Sequence, residues 1–179
     1  MLRTWAMAEL MNPRWAPNLA GVPWPSALRA KMNARDWAAL TEAEWAMVEH
    51  VMMQLRAPLL GGLLPLQPQW YEGGVPIEAV AEMRVMAYAP FVAKVPSRRL
   101  VDLAEAERGA PSGTPEFVRA FMVGVPIAVA PALAGPFTLV EGYTRCCRAL
   151  RDWNTGRFDG LPIPMVVGVT DRIGEWGWM

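Results

Sequence analysis

The stretch PFTLVEGYTRCCRALRDW, residues 136–153, decides the fold because its hydrophobic period changes in the middle. Residues Phe137 to Val140 form a short apolar run, which is typical of a buried strand. Beyond Gly142 the apolar residues recur at helical spacing, at Cys146, Ala149, Leu150 and Trp153. The stretch therefore predicts a strand that turns sharply into a helix.

Further elements are predicted on both sides of this unit. Residues 125–130 and 164–169 are apolar runs that predict buried strands, and residues 134–136 (Ala-Gly-Pro) predict a turn. Upstream, residues 83–88 predict a strand. Ser97 is expected to cap a short helix through Leu100 and Leu103, and residues 114–121 predict another helix. We expect an α/β (α+β) fold, a small mixed sheet with surrounding helices.

The first part of the chain is helical in pattern and rich in tryptophan. Thr41 and Glu44 have the spacing of a capping box, and an apolar stripe follows at Trp45, Val48, Met52 and Leu55. His50 falls on the opposite, exposed side. We expect residues 1–74 to form a helical extension packed on the core and residues 75–179 to form the main domain, together one compact unit. Residues 70–74 predict a turn packed by aromatics.

Composition excludes several classes of function. The 179 residues contain 17 Lys+Arg and 17 Asp+Glu, so no net charge attracts the chain to DNA or an anionic membrane. The two cysteines, Cys146 and Cys147, are adjacent, and there is one histidine, too few for a disulfide framework or a structural zinc site. Reduced thiols and the early acid Glu9, which interrupts any signal-like apolar run, favour a cytoplasmic protein.

One segment has the length of a membrane span. Residues 120–140 carry no charge, but they contain prolines at 126, 131 and 136. Prolines at this spacing would break a helix repeatedly. We therefore expect two buried strands here and no membrane span.

The junction of the predicted strand and helix can bind an anion. Gly142 allows close approach of a ligand, and the N–H groups of Tyr143, Thr144 and Arg145 lie at the positive end of the helix. Phosphate binds readily to such a terminus. The Thr144 hydroxyl and the Arg145 guanidinium are further donors, and Glu141 is placed to hold a magnesium ion or orient a water. An ordinary strand–helix junction is the alternative.

This segment, residues 139–145, resembles the Gly-x-x-Arg phosphate-binding box of the ParB/sulfiredoxin superfamily. The upstream order is also similar: a strand, a helix opening at Val95-Pro96-Ser97, a helix, the strand beginning Val125-Pro126-Ile127, and a turn. The resemblance covers roughly residues 83–170 and leaves the N-terminal helices outside.

The resemblance implies nucleotide-dependent chemistry. It predicts binding of ATP or another nucleotide with Mg²⁺, with Glu141 and Arg145 in catalysis, and hydrolysis of ATP or metal-dependent cleavage of DNA for a plasmid or other mobile element. Tyr143 stands where the sulfiredoxin branch has its cysteine, which argues against sulfinic-acid reduction. No helix-turn-helix domain follows, and Tyr-Thr-Arg replaces the usual Glu-Arg-Arg of partition factors.

Two other functions remain open from the sequence. The chain could be an interaction module that inhibits conjugation by blocking a protein of a DNA-transfer machinery, with a vestigial phosphate site. It could also be a phosphotransferase acting on a small hydroxyl substrate, with Glu141 as general base. Basic residues that are candidates for DNA contact are Lys94, Arg98, Arg99 and Arg148.

Overall fold

The computed structural model describes residues 2–10, 16–56, 61–107, 125–156 and 161–179. Four helices come first: α1 (Leu2–Leu10), α2 (Ala16–Ala20), α3 (Ser26–Ala34) and α4 (Glu42–Leu55). The remaining elements are β1 (Gln69–Val75), α5 (Ile77–Ala81), β2 (Arg84–Val85), α6 (Ala89–Lys94), α7 (Leu100–Ala106), β3 (Ile127–Ala130), β4 (Thr138–Glu141), α8 (Tyr143–Asn154) and β5 (Ile163–Val169). Short 3₁₀ turns lie at Trp37–Ala39, Leu64–Leu66 and Ile173–Glu175.

The five strands form one mixed sheet in the order β1-β5-β3-β4-β2. The β1–β5 and β3–β4 pairs are antiparallel, while β3–β5 and β2–β4 are parallel. The predicted α/β class is confirmed, and so are the buried strands on both sides of the turn at residues 134–136. In the described residues no helix is both long and apolar enough to cross a membrane.

The sheet is covered by helices on both faces, because successive side chains of a strand point to opposite sides. Ile127 and Val129 belong to one buried cluster, which includes Trp45, Val48 and Met52 of α4. Ala128 and Ala130 belong to the other, which includes residues of α5, α7 and α8. The helices before residue 56 therefore pack on one face, as expected for the N-terminal part.

Helix α4 begins at the predicted capping box. The Glu44 N–H donates to the Thr41 hydroxyl at 3.2 Å, and the Thr41 N–H donates to the Glu44 carboxylate at 2.7 Å. Trp45, Val48 and Met52 are buried and His50 is exposed, as the spacing predicts.

Three local predictions are wrong. Residues 70–74 are part of β1 rather than a turn, because Trp70 packs its ring over Gly168, its partner in β5. Only residues 84–85 of the strand predicted over residues 83–88 are in the sheet. The N-cap position of α7 is Arg99 and not Ser97, and the Arg99 side chain makes no capping hydrogen bond. The Ser97 hydroxyl donates to Asp102 at 2.6 Å and accepts the Arg99 N–H at 3.3 Å. The helix predicted over residues 114–121 lies outside the described residues.

The turn from β4 into α8 depends on one close contact. Gly142 has φ +94°, a left-handed conformation that favours glycine, and a Cβ at this position would lie 2.8 Å from the Cβ and 2.9 Å from the Cα of Pro126. The Cys146 N–H donates to the Gly142 carbonyl at 3.0 Å and begins the helix. Pro126 thus fixes how tightly β3 and the start of α8 approach each other.

We expect Gly142→Ala to lower the free energy of unfolding by about 2–4 kcal/mol, from backbone strain and overpacking against Pro126. The matched control is Gly73→Ala, since a Cβ there would meet nothing within 4 Å. Urea denaturation of both variants measures the difference. Equal stability of the two variants would contradict the contact with Pro126.

Candidate functional site

The predicted anion-binding residues are brought together at one corner of the sheet, where β4 ends and α8 begins. We call Glu141, Gly142, Tyr143, Thr144 and Arg145 the anion corner. Glu141 is the last residue of β4, and the others supply the N-cap and first turn of α8, which has 12 residues. The first N–H groups of a helix have no carbonyl acceptor within the helix. The N–H groups of residues 143–145 therefore point out of the N-terminal end of α8.

The structure adds two residues that the sequence analysis missed. The Arg56 guanidinium, just after α4, donates to Glu141 Oε2 at 2.9 Å. The same guanidinium donates to both carboxylate oxygens of Glu9 in α1, at 2.9 and 3.2 Å. Arg145 lies in the field of both carboxylates. These four residues, Glu9, Arg56, Glu141 and Arg145, form a charge cluster of two acids and two bases, in which Glu9 is buried and the other three are partly buried.

A faint signal for this cluster exists in the sequence. Glu9 is the one acidic residue among the first 35, and it lies on an otherwise mostly apolar helix. Its side chain is 1% exposed in the structure. A buried carboxylate needs a cationic partner, but nothing in the local pattern indicates that Arg56 provides it, 47 residues away.

The Glu141 carboxylate occupies the position of an anion in this corner. Its Oε1 accepts the Gly142 N–H at 3.0 Å, while Oε2 accepts from Arg56. Burial raises the pKa of Glu141, and the charge of Glu9 raises it further, whereas Arg56, the Gly142 N–H and Arg145 lower it. Both oxygens are engaged by donors, so this carboxylate does not fit a magnesium ligand as it stands.

Tyr143 and Thr144 differ in accessibility. The Tyr143 hydroxyl donates to the Leu139 carbonyl at 2.8 Å, and its ring packs on Phe91 with centroids 4.5 Å apart. Burial raises the pKa of this phenol well above its usual value. Thr144 is exposed, so its hydroxyl is accessible to a ligand at the surface.

The guanidinium groups of the cluster keep their charge. Burial acts to lower the pKa of Arg56, but the hydrogen bonds and charge of Glu9 and the charge of Glu141 raise it overall. Burial lowers the pKa of Arg145, and the nearby carboxylates offset part of this effect. Arginine remains protonated in proteins, so both groups are cations at the anion corner.

Cys146 and Cys147 lie inside the fold just after the anion corner. Both thiols are buried, and burial raises their pKa values to about 12. Such thiols remain protonated near neutral pH and pack in the core.

The candidate DNA-contact residues have partners within the fold. Lys94 pairs with Glu107 at 3.0 Å, Arg99 with Glu82 at 3.3 Å and Arg148 with Asp152 at 3.5 Å. The Arg98 guanidinium donates to the carbonyls of Val85 and Trp178. Their role in DNA binding remains a prediction.

No predicted site residue lines the cavity of about 270 Å³ that lies between α1, α2 and α3. Leu10, Trp24, Met32 and Trp37 supply much of its apolar wall. In the described ranges, no cluster of three or more His, Cys, Asp or Glu side chains is arranged to hold a metal ion.

The chain matches no protein-family profile, no curated protein and no solved structure. The resemblance to the ParB/sulfiredoxin superfamily therefore remains a prediction that rests on residues 139–145 and on the order of the elements around them.

The raised pKa of Glu141 predicts a pH dependence of stability. Over the range between the ordinary glutamate pKa and the raised one, the folded chain binds a proton that the unfolded chain has released. The free energy of unfolding should therefore fall as pH rises through this range, and Glu141→Gln should make the fall shallower. Urea denaturation at a series of pH values measures the slope, with exposed Glu72→Gln as the control. If Glu141→Gln and Glu72→Gln give the same slope, Glu141 does not titrate in this range.

Proposed function

We propose that the anion corner binds the phosphate groups of a nucleotide. The observation that carries this proposal is the set of donors around the Glu141 carboxylate: the Gly142 N–H and Arg56, with Arg145 nearby. A helix N-terminus, a glycine amide and two guanidiniums are the donors that phosphate requires. In this proposal Glu141 is an internal anion that holds the donors in place until phosphate replaces it.

The exchange of Glu141 for phosphate has an electrostatic requirement. Two carboxylates already balance the two arginines, so the cluster offers a phosphate no net electrostatic attraction. The carboxylate of Glu141 must either turn away or take up a proton, and burial makes protonation easier by raising its pKa. Thr144, which is exposed, would then donate its hydroxyl to the bound phosphate.

The nucleotide we propose is ATP or a related triphosphate, in line with the resemblance to the ParB/sulfiredoxin superfamily. In the turned-away, ionised form, the Glu141 carboxylate would be placed to orient a water and accept its proton during phosphate hydrolysis, whereas the protonated form would allow phosphate binding alone. Arg145 would stabilise the charge that develops on the phosphate oxygens. Action on DNA for a mobile element belongs to the same proposal and rests on the resemblance alone.

A second function, binding of a partner protein, is favoured by the charge balance of the cluster. Arg56 pairs with Glu9 of the first helix and with Glu141 at the end of β4, and these two ion pairs tie the N-terminal helices to the sheet. If this is the whole role of the corner, the chain acts by binding a partner protein, as an inhibitor of DNA transfer would. The same experiment separates the two functions.

Thermal unfolding with ATP, with and without magnesium, tests the proposal. At a nucleotide concentration one hundred times its Kd, binding adds about 2.7 kcal/mol to stability, which raises the Tm by roughly 5–11 °C in a chain of this size. We expect Arg145→Ala and Thr144→Ala to reduce this shift. Arg148→Ala, three residues beyond the corner on the same helix, should retain it.

Thr144 is exposed, so Thr144→Ala keeps the test valid even if Arg145→Ala weakens the fold. Each shift is measured against the variant's own Tm without nucleotide. Release of inorganic phosphate from ATP then reports hydrolysis separately. A flat thermal response of the unaltered chain to ATP would refute nucleotide binding and favour the partner-binding function.

A further inference from the structure

Strand β1 lies at one end of the sheet and, in the described part of the chain, pairs with β5 alone. Two hydrogen bonds fix the direction of the β5 backbone. The N–H groups of Val166 and, just past the strand, Thr170 donate to the carbonyls of Pro126 and Ala130, on the β3 side. Adjacent residues of a strand direct their N–H and C=O groups to opposite sides. The backbone groups of Val167 therefore point the other way, at β1.

This alternation determines which residues of β1 face outward. Tyr71 is the partner of Val167, so its N–H and C=O belong to the β1–β5 ladder. The backbone groups of Trp70, Glu72 and Gly74 point away from the sheet. Within the described ranges no backbone hydrogen bond reaches these outward groups, and Glu72 and Gly74 are exposed. Strand β1 thus offers a row of donors and acceptors to a further strand.

The two ends of the sheet differ in how they are protected. A free edge can pair with another chain, so natural sheets usually block their edges. Strand β2, at the other end, has two residues, and Arg84 in it is bridged by Arg99. Strand β1 has seven residues in regular register with β5, and it contains neither proline nor lysine. A regular edge of this length without blocking residues is suited to pairing.

The face of β1 that carries Tyr71 is complementary to itself. Tyr71 is half-exposed and, among the described residues, belongs to neither buried cluster. Two residues along on the same face, a Cβ at Gly73 would meet nothing within 4 Å. An aromatic ring reaches the diagonal neighbours on a facing strand as well as the residue opposite. An antiparallel second copy would therefore bring each Tyr71 ring over the open space at Gly73 of the other copy.

We propose that β1 pairs with β1 of a second copy of this chain, antiparallel and with Tyr71 on the twofold axis. On both sides of the axis Trp70 of one copy and Glu72 of the other then exchange their backbone hydrogen bonds. An axis at Glu72 would set two like charges directly opposite each other, and an axis at Gly73 would separate the two rings. Such a self-complementary contact closes on itself, so it produces a dimer and not a fibre.

The proposed dimer surface is separate from the anion corner. Strands β5 and β3 lie between β1 and β4, which places the two sites about 14 Å apart at the usual spacing of strands. Either site can therefore fail without the other. A few paired residues in each copy make a contact below the standard size, so the dimer should be weak and depend on concentration.

Sedimentation velocity over a concentration series up to about 100 μM, where weak interfaces associate, tests the dimer. We expect the unaltered chain to dimerise and Glu72→Pro to associate at least about tenfold more weakly, since proline removes an outward N–H from each copy. An edge strand tolerates proline where the N–H faces outward, so this variant should fold. The matched control Glu72→Ala keeps the N–H and should associate within about threefold of the unaltered chain.

Disulfide formation tests the register. Tyr71→Cys should form a disulfide between copies under mild oxidation, because Cα atoms of a non-hydrogen-bonded pair are about 4.5 Å apart. In the matched control Gly73→Cys, each new thiol would lie opposite Gln69, about 14 Å along the strand from its counterpart, too far for a disulfide. The native thiols of Cys146 and Cys147 are buried.

Three results would overturn the proposal. The unaltered chain could remain a monomer throughout the series, which would exclude a second copy as the occupant of this edge. Glu72→Pro and Glu72→Ala could dimerise equally, which would place the dimer contact elsewhere. Gly73→Cys could also form a disulfide as readily as Tyr71→Cys, which would contradict the register. If Glu72→Pro does not fold, the unaltered chain and the two cysteine variants still decide the question.

Discussion

The contact of Arg56 with the buried carboxylate of Glu9 and the partly buried carboxylate of Glu141 is the constraint on which the rest of the structure depends. Its guanidinium reaches Glu9 in the first helix and Glu141 at the end of β4, so it joins parts of the chain that are 47 and 85 residues away from it. An uncompensated buried charge is costly, and a carboxylate such as Glu9 could not remain 1% exposed without this partner. The contact fixes where α1 and α4 lie relative to the sheet.

The same contact determines what the anion corner can do. Gly142 provides a sharp turn and Pro126 packs against it, so the bend into α8 is rigid. Rigid donors cost little reorganisation when an anion binds. Glu141 already uses two of these donors, so in the proposed function an anionic ligand would have to compete with the protein's own carboxylate.

The sequence predicted those parts of the fold that depend on neighbours along the chain. The strand and helix on the two sides of Gly142 follow from a change of hydrophobic period, and the start of α4 follows from Thr41 and Glu44. Both signals involve residues a few positions apart, where local physics dominates. For the same reason, the sequence predicted that the residues from Glu141 to Arg145 lie together where the strand turns into the helix.

The features that could not be predicted depend on distant partners. Residues 70–74, with two glycines, have the composition of a turn, but pairing with β5 and the packing of Trp70 over Gly168 make them a strand. Ser97 has a capping side chain, yet its hydroxyl donates to Asp102 and Arg99 takes the cap position. Arg56 and Glu9 joined the site through tertiary packing, which no spacing rule in one sequence reveals.

A double-mutant cycle with Arg56→Met and Glu141→Gln tests the central contact most directly. The free energies of unfolding of the four chains give the coupling between the two side chains by urea denaturation. The structure predicts that the double variant is more stable than the sum of the single changes implies, by about 1–3 kcal/mol. Additivity within about 0.5 kcal/mol would show that Arg56 and Glu141 do not interact and would contradict the account.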